Sequence, residues 1–253
     1  MTKARFRAIA ECMAISALTA ALTACSHGGG STPTTAPPVS TVVLSGSYVF
    51  SVTGTDPTDG DHAVIGSFVT DGKGNITSGV ADYNLGSGID ADVPLTGTYT
   101  STGGLTTVSL VSPNAGFTDS FTTTPVATGT SSIGNFDSTG SGTLYPQVTS
   151  GFTPVGTYTY TLQGEGQGSV TGNGSLVVGT GNTISSGTLT YTDAATMTTY
   201  AAVTGFVYSP EVGGRGQAAL EGKNLAYYVI SPSQVVMIEL DQRALVLMSA
   251  SKQ

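Results

Sequence analysis

Three carboxylates fall within six residues in the run Asp56-Pro57-Thr58-Asp59-Gly60-Asp61-His62. Acidic oxygens at that density suit calcium, a hard cation that takes roughly 6–8 oxygen ligands. The candidate metal residues are therefore Asp56, Asp59 and Asp61. The spacing departs from the EF-hand loop, which closes with a Glu at its twelfth position; counted from Asp56 that position is Ser67. An acidic, solvated hairpin loop is the competing reading, and no other cofactor is implied. Aromatic residues alternate in two short stretches, Tyr48 and Phe50, then Tyr158 and Tyr160. Such pairs could stack on a glycan or line an apolar ligand, but aromatics alternating on a strand are far more often core. Nucleophilic hydrolysis needs a base beside the nucleophile, most often His. The chain has two, His27 in a polar N-terminal stretch and His62 in the acidic loop. There is no G-x-S-x-G, no H-E-x-x-H and no glycine-rich phosphate loop opening a helix. A carboxylate pair could still carry out glycoside hydrolysis. The acids, however, stand mostly at expected strand ends and turns. The expectation is a protein that is not an enzyme.

The N-terminus says where such a protein would sit. Lys3, Arg5 and Arg7 precede a short run of small and apolar residues from Cys12 to Ala24. A basic start, a short apolar stretch and small residues at a cut make a secretory signal. The apolar run is too short to span a bilayer, which takes roughly 20 residues. Leu22-Thr23-Ala24-Cys25 resembles the bacterial lipobox. That resemblance implies cleavage between Ala24 and Cys25 and acylation of Cys25, with palmitate-type chains as the hold on the membrane. Two or three chains anchor stably where one is marginal. The non-acidic Ser26 resembles the outer-membrane sorting class, so the implied location is the outer membrane, on its periplasmic or surface face. Residues 25–42 then form a flexible Gly/Ser/Thr/Pro tether.

The charge balance removes one class of partner. The whole chain carries a formal net charge of −8. Beyond the leader its basic residues are Lys73, Arg215, Lys223, Arg243 and Lys252, scattered singly. Such a chain does not bind phosphate backbones, so nucleic acid is excluded. Only Cys12 and Cys25 are present. With one in the leader and one acylated, no disulfide or thiol site remains.

From Val42 onward the pattern alternates with period two and carries turn residues every few positions, the mark of an all-β protein of short antiparallel strands. The chain also repeats itself. Gly46-Ser47-Tyr48-Val49-Phe50-Ser51-Val52 lines up with Gly156-Thr157-Tyr158-Thr159-Tyr160-Thr161-Leu162, and Gly66–Gly79 with Gly174–Gly187. Each half (43–150 and 151–253, after a signal at 1–24 and the tether at 25–42) offers about eight short strands. Tyr48, Phe50 and Val52 share one face, as do Tyr158, Tyr160 and Leu162, and those faces should point inward. Sequential strands remove their edges best by closing into a meander barrel. A two-sheet sandwich is the alternative. Near the C-terminus Val235–Ile238 and Leu245–Met248 are apolar on both faces. Strands of that kind are covered on both sides, here by their own core and by the first repeat or another copy.

The motif G-S-Y-x-F, followed by G-S-F-x-x-D-G-x-G-x-I-T-S-G-x-x-D-Y-N and L-T-G-T-Y, resembles a repeat of uncharacterised exported and lipid-anchored proteins of soil bacteria. It runs from Gly46 to Gln147 and, more loosely, from Gly156 to the end. The resemblance implies a β-rich cell-envelope protein. Gly46-Ser47-Tyr48 and Gly156-Thr157-Tyr158 are also similar to the first-strand motif of lipocalin- and avidin-type barrels. The combined expectation is a non-catalytic, lipid-anchored envelope protein with a structural, adhesive or interaction role toward envelope proteins or glycans. A barrel binding a small apolar or glycan ligand is the alternative, and a polysaccharide hydrolase a more distant one.

Overall fold

The computed structural model describes residues 43–56, 60–116, 118–125, 129–137, 139–165, 169–193, 196–211, 213–241 and 245–253. The leader, Cys25, His27 and the tether lie outside the described residues. Every described element is a strand. The first half comprises β1 (Gly46–Asp56), β2 (Gly60–Thr70), β3 (Asn75–Leu85), β4 (Gly88–Thr102), β5 (Leu105–Val111), β6 (Thr118–Thr123), β7 (Ser131–Phe136) and β8 (Gly140–Pro146). Each pairs antiparallel with the next, and β8 returns to β1, giving a closed eight-stranded barrel. The second half comprises β9 (Gly156–Glu165), β10 (Ser169–Val178), β11 (Thr183–Asp193), β12 (Thr196–Tyr200), β13 (Gly205–Val207), β14 (Arg215–Leu220), β15 (Lys223–Ser231), β16 (Gln234–Glu239) and β17 (Leu245–Lys252). Here β17 pairs with β9, and β10 with β11, so a second ring closes. The protein is thus all-β, with two tandem meander barrels.

The two rings differ at one strand. In the first, β4 runs unbroken and pairs with β3 over most of its length. In the second, its place is shared by β12 and β13, which pair with opposite ends of β11. The strand that is continuous in the first ring is therefore interrupted in the second. Residues 201–204 leave the ladder, and β13 meets β11 at only two positions, Thr183↔Phe206 and Ile184↔Gly205.

Alternation places the side chains as the pattern requires. Phe50, Val52, Val64, Phe68, Val108, Leu110, Phe121, Phe136 and Leu144 fill the first barrel. Phe50 has Phe68, Phe121 and Phe136 around it, with ring centroids 6.0–6.4 Å away. Glycine is needed where strands press together: a Cβ on Gly142 would lie 1.9 Å from the Ser51 carbonyl oxygen. The β2–β3 turn is held by Asp71, whose carboxylate accepts from Lys73 N at 2.7 Å, Asn75 N at 3.0 Å and Asn75 Nδ2 at 2.6 Å. These bonds, that from the Asn75 side chain first, hold its carboxyl below the usual range.

A third apolar cluster joins the barrels. The outward residues Val49, Ala63 and Ile65 of β1 and β2 pack against Ala226, Tyr228 and Ile230 of β15, Val236 and Ile238 of β16, and Leu247 of β17. This is why the C-terminal strands are apolar on both faces. One face fills the second barrel and the other covers the first. Because β17 lies between β9 and β16 and also contributes to this seam, removing the last ten residues should abolish folding. Circular dichroism of that truncation should show no cooperative thermal transition.

Candidate functional site

The most concentrated chemistry lies in the seam. Asp82 stands in β3 with its side chain outside the first barrel, yet it is fully buried. Arg215, at the start of β14, reaches it with two bonds, Nε to Oδ2 at 2.8 Å and Nη2 to Oδ1 at 2.7 Å. Tyr228 donates its hydroxyl to Oδ2 at 2.6 Å, and the Asp92 backbone N–H donates to Oδ1 at 2.8 Å. Burial opposes the charge on Arg215, but the bonds and charge of Asp82 outweigh it and raise its pKa. Burial, then the Asp82 charge, pushes the Tyr228 phenol well up. A bidentate pair of this kind is strong and directional. None of its side chains lines the second-barrel cavity described below, and Nη1 of Arg215 lies 3.9 Å from the exposed Asp92 carboxylate. It is a clamp between barrels.

The two residues that follow Asp82 also act in pieces. Tyr83 points into the first barrel and donates to Asp119 Oδ2 at 2.6 Å. Burial first, and then Asp119, raises the Tyr83 phenol well above its ordinary value. Asn84 crosses the seam and donates to the Glu239 carbonyl at 2.8 Å. Glu239 in turn takes Lys223 Nζ at 2.6 Å. Burial raises its carboxyl, partly offset by that lysine. Asp82, Asp119 and Glu239 are exceptions to the expectation that acids stand mostly at strand ends and turns: all three are buried. The signal was the D-Y-N run itself, three hydrogen-bonding residues in the middle of a strand.

His62 corrects a second expectation. It lies within β2, not in a loop, and is 5% exposed. Its ring faces Phe136, with centroids 6.0 Å apart, and its Nε2 has no hydrogen-bond partner among the described residues. Of the calcium candidates, Asp59 and the Asp56 side chain lie outside the described residues. Asp61 accepts a bond from Thr55 Oγ1 at 2.7 Å across the hairpin. Among the described residues no group of three or more His, Cys, Asp or Glu is arranged to hold a metal.

The aromatic candidates prove to be barrel lining. Tyr48 is half-buried at the top of the first barrel, stacked on Phe68 at 5.7 Å, with its hydroxyl donating to Ser45 O at 3.3 Å. Phe50 is enclosed by other rings. Tyr158 and Tyr160 line a cavity of about 40 Å³ in the second barrel, together with Tyr227, Met237, Met248 and Ala250. Ligand pockets run to roughly 300–1,000 Å³. The second-barrel cavity is far below that range.

No family model matches the sequence, and no curated protein matches it. Among solved structures, a protein described as an AttH of Nitrosomonas europaea is similar over 82% of this chain and 92% of its own, at 8% identity and a TM-score of 0.27. Kievitone hydratase of Nectria haematococca is similar over 83% of this chain and 89% of its own, at 8% identity and a TM-score of 0.25. At such scores neither likeness carries an argument about this chain.

Two outcomes test the site. Asp82→Ala leaves a buried guanidinium without its partner, and such a loss costs about 3–5 kcal/mol. Urea unfolding should show that deficit, and Asp82→Leu combined with Arg215→Met should recover most of it. At high pH, burial pushes Tyr158 and Tyr160 up to about 12. The unfolded chain then loses protons near 10 while the folded one keeps them. Stability from these groups is full below pH 10 and is lost as pH rises toward 12. Phenolate absorbance followed with pH should therefore rise late and together with unfolding, and Tyr160→Phe should shift that transition upward.

Proposed function

We propose that this chain is a non-catalytic, lipid-anchored protein of the bacterial cell envelope, with a structural or adhesive role. Acyl chains on Cys25 hold it to the outer membrane, and the tether lifts the two-barrel body off the lipid. The observation that carries the reading is how the body uses its polar and aromatic groups. The buried carboxylates are each engaged, Asp82 by Arg215, Asp119 by Tyr83 and Glu239 by Lys223. The inward aromatics are packed. The outer surface carries aromatic groups that are not engaged in this way. There Phe206 and Tyr208 stand 42% and 54% exposed with their rings edge-to-face at 5.0 Å, on the same barrel as Met197 at 71%. Exposed aromatic surface of this kind supports contact with an envelope protein or glycan.

The anchor is tested by feeding an alkyne-bearing palmitate to a bacterial host that makes the full chain. The protein should take up the label and stay in the membrane fraction through a carbonate wash. Cys25→Ser should lose the label and appear in the soluble fraction. A labelled Cys25→Ser, or an unlabelled parent protein, would count against the anchor.

A further inference from the structure

The two barrels share a plan but not a filling, and the difference falls at one place. Strand pairing fixes the equivalences. Phe50 opposes Leu144 as Tyr160 opposes Ala250. Val108 opposes Phe121 as Ala218 opposes Leu225. Tyr99 opposes Val108 as Val207 opposes Ala218. Tyr48 opposes Phe68 as Tyr158 opposes Leu176. From first barrel to second, Leu144 thus becomes Ala250, Val108 becomes Ala218, Tyr99 becomes Val207, and Phe68 and Phe121 become Leu176 and Leu225. All five second-barrel residues line the cavity. The same pairings enlarge two neighbours in the lining, Gly142 to Met248 and Thr123 to Tyr227, so the cavity lies where the smaller residues meet.

Tyr227 and Met248 take part of the space vacated, and the rest is filled from outside the ring. In the first barrel the residue ahead of β1, Leu44, is fully buried at the top and its carbonyl accepts from Tyr99 Oη at 2.7 Å. The corresponding segment of the second barrel, residues 149–155, brings in Phe152 and Pro154, both of which line the cavity. Phe152 is only half-buried, its ring 6.1 Å from Tyr227. The segment is lightly held. Thr153 O accepts from Tyr158 Oη at 3.2 Å and from Lys252 Nζ at 3.3 Å, and Phe152 N bonds within the segment to Thr149 O. The wall nearby is joined by few bonds: β13 pairs with β11 at two positions, and beyond these Val207 N donates to Asn182 O at 2.7 Å and Val203 N to Gly187 O at 3.0 Å.

The lining specifies the class of occupant. Its three phenols all donate outward to backbone carbonyls, Tyr158 to Thr153, Tyr160 to Thr188 and Tyr227 to Tyr208. They turn ring faces to the cavity and leave no donor free for a sugar hydroxyl, which would be costly to bury unpaired. Met237 and Met248 add unbranched side chains that adapt to irregular shapes. We propose that the second barrel is a binding site for a slender hydrocarbon chain of the fatty-acyl class, with Phe152 as a built-in plug that the ligand displaces. The site goes beyond the structural role proposed above and does not depend on the anchor.

The test uses the mature chain carrying Cys25→Ser, so that no acyl group of its own competes, titrated with cis-parinaric acid by fluorescence. The parent should bind saturably at one site. Phe152→Ala should tighten binding by about tenfold, a change of roughly 1.4 kcal/mol in affinity. Ala218→Val with Ala250→Leu, which restores the residues of the first barrel, should abolish binding while circular dichroism and melting stay at parent values. Ala218→Val alone, the milder filling, should weaken binding severalfold. Displacement by oleate but not by phosphatidylcholine vesicles assigns a free acid, and displacement by both assigns a lipid tail; either supports the site. Absence of saturable binding in the parent and in Phe152→Ala overturns the proposal, as does binding that survives both fillings unchanged.

Discussion

Asp82 tolerates complete burial because four donors surround it: two nitrogens of Arg215, the Tyr228 hydroxyl and the Asp92 amide. A lone carboxylate in that position would be strongly unfavourable. Its burial therefore requires the two barrels to meet in one orientation, since three of the donors belong to the second barrel. The apolar seam around it supplies area, from Val49 and Ile65 on one side to Tyr228 and Ile238 on the other. Area alone is non-directional. The forked geometry of a guanidinium on a carboxylate is what selects a register.

Duplication has left each copy with a different task at matching positions. The stretch Ala81-Asp82-Tyr83-Asn84 of the first copy corresponds to Leu189-Thr190-Tyr191-Thr192 of the second. In the first copy all four are buried; in the second only Leu189 is. The reverse holds at the C-terminal ends. There β15, β16 and β17 carry apolar residues on both faces, while β6 and β7 place Thr118, Ser120 and Ser132 outward into solvent. Each copy thus presents one sheet region to the other, and the regions are not equivalent. The arrangement is a heterologous pairing of related units, which a symmetric dimer of one copy would not reproduce.

Much of this was legible along the chain because it rests on local periodicity. Alternation at Tyr48, Phe50 and Val52 identifies an inward face whatever the strand pairs with. The doubly apolar run from Val235 to Ile238 announces a second covering. Glycine-rich turns between strands mark hairpins. The parts that were not legible depend on distant partners. An Asp in a strand reads as a solvated position unless its counterion is known, and Arg215 lies 133 residues from Asp82. His62 looked like part of an acidic loop because its neighbours are Asp61 and Gly60. Its burial follows from pairing with Gly54 on one side and Leu85 on the other. The small cavity in the second barrel was invisible for a related reason. Each smaller residue is unremarkable alone, and only the pairing shows that they border one cavity.

Closure by first and last strands has a kinetic meaning. The β1–β8 and β9–β17 ladders join the ends of each repeat. Loop-closure entropy must be met before such contacts form, and topologies dominated by them fold slowly. A chain emerging from its N-terminus cannot complete either ring until the last strand of that ring has arrived. Asp82 must wait past closure of the first ring, until β14 and β15 bring Arg215 and Tyr228. For a chain that folds as it emerges, the order of arrival is written into the connectivity: first ring, then the strands that carry the clamp, then the strand that closes the second ring.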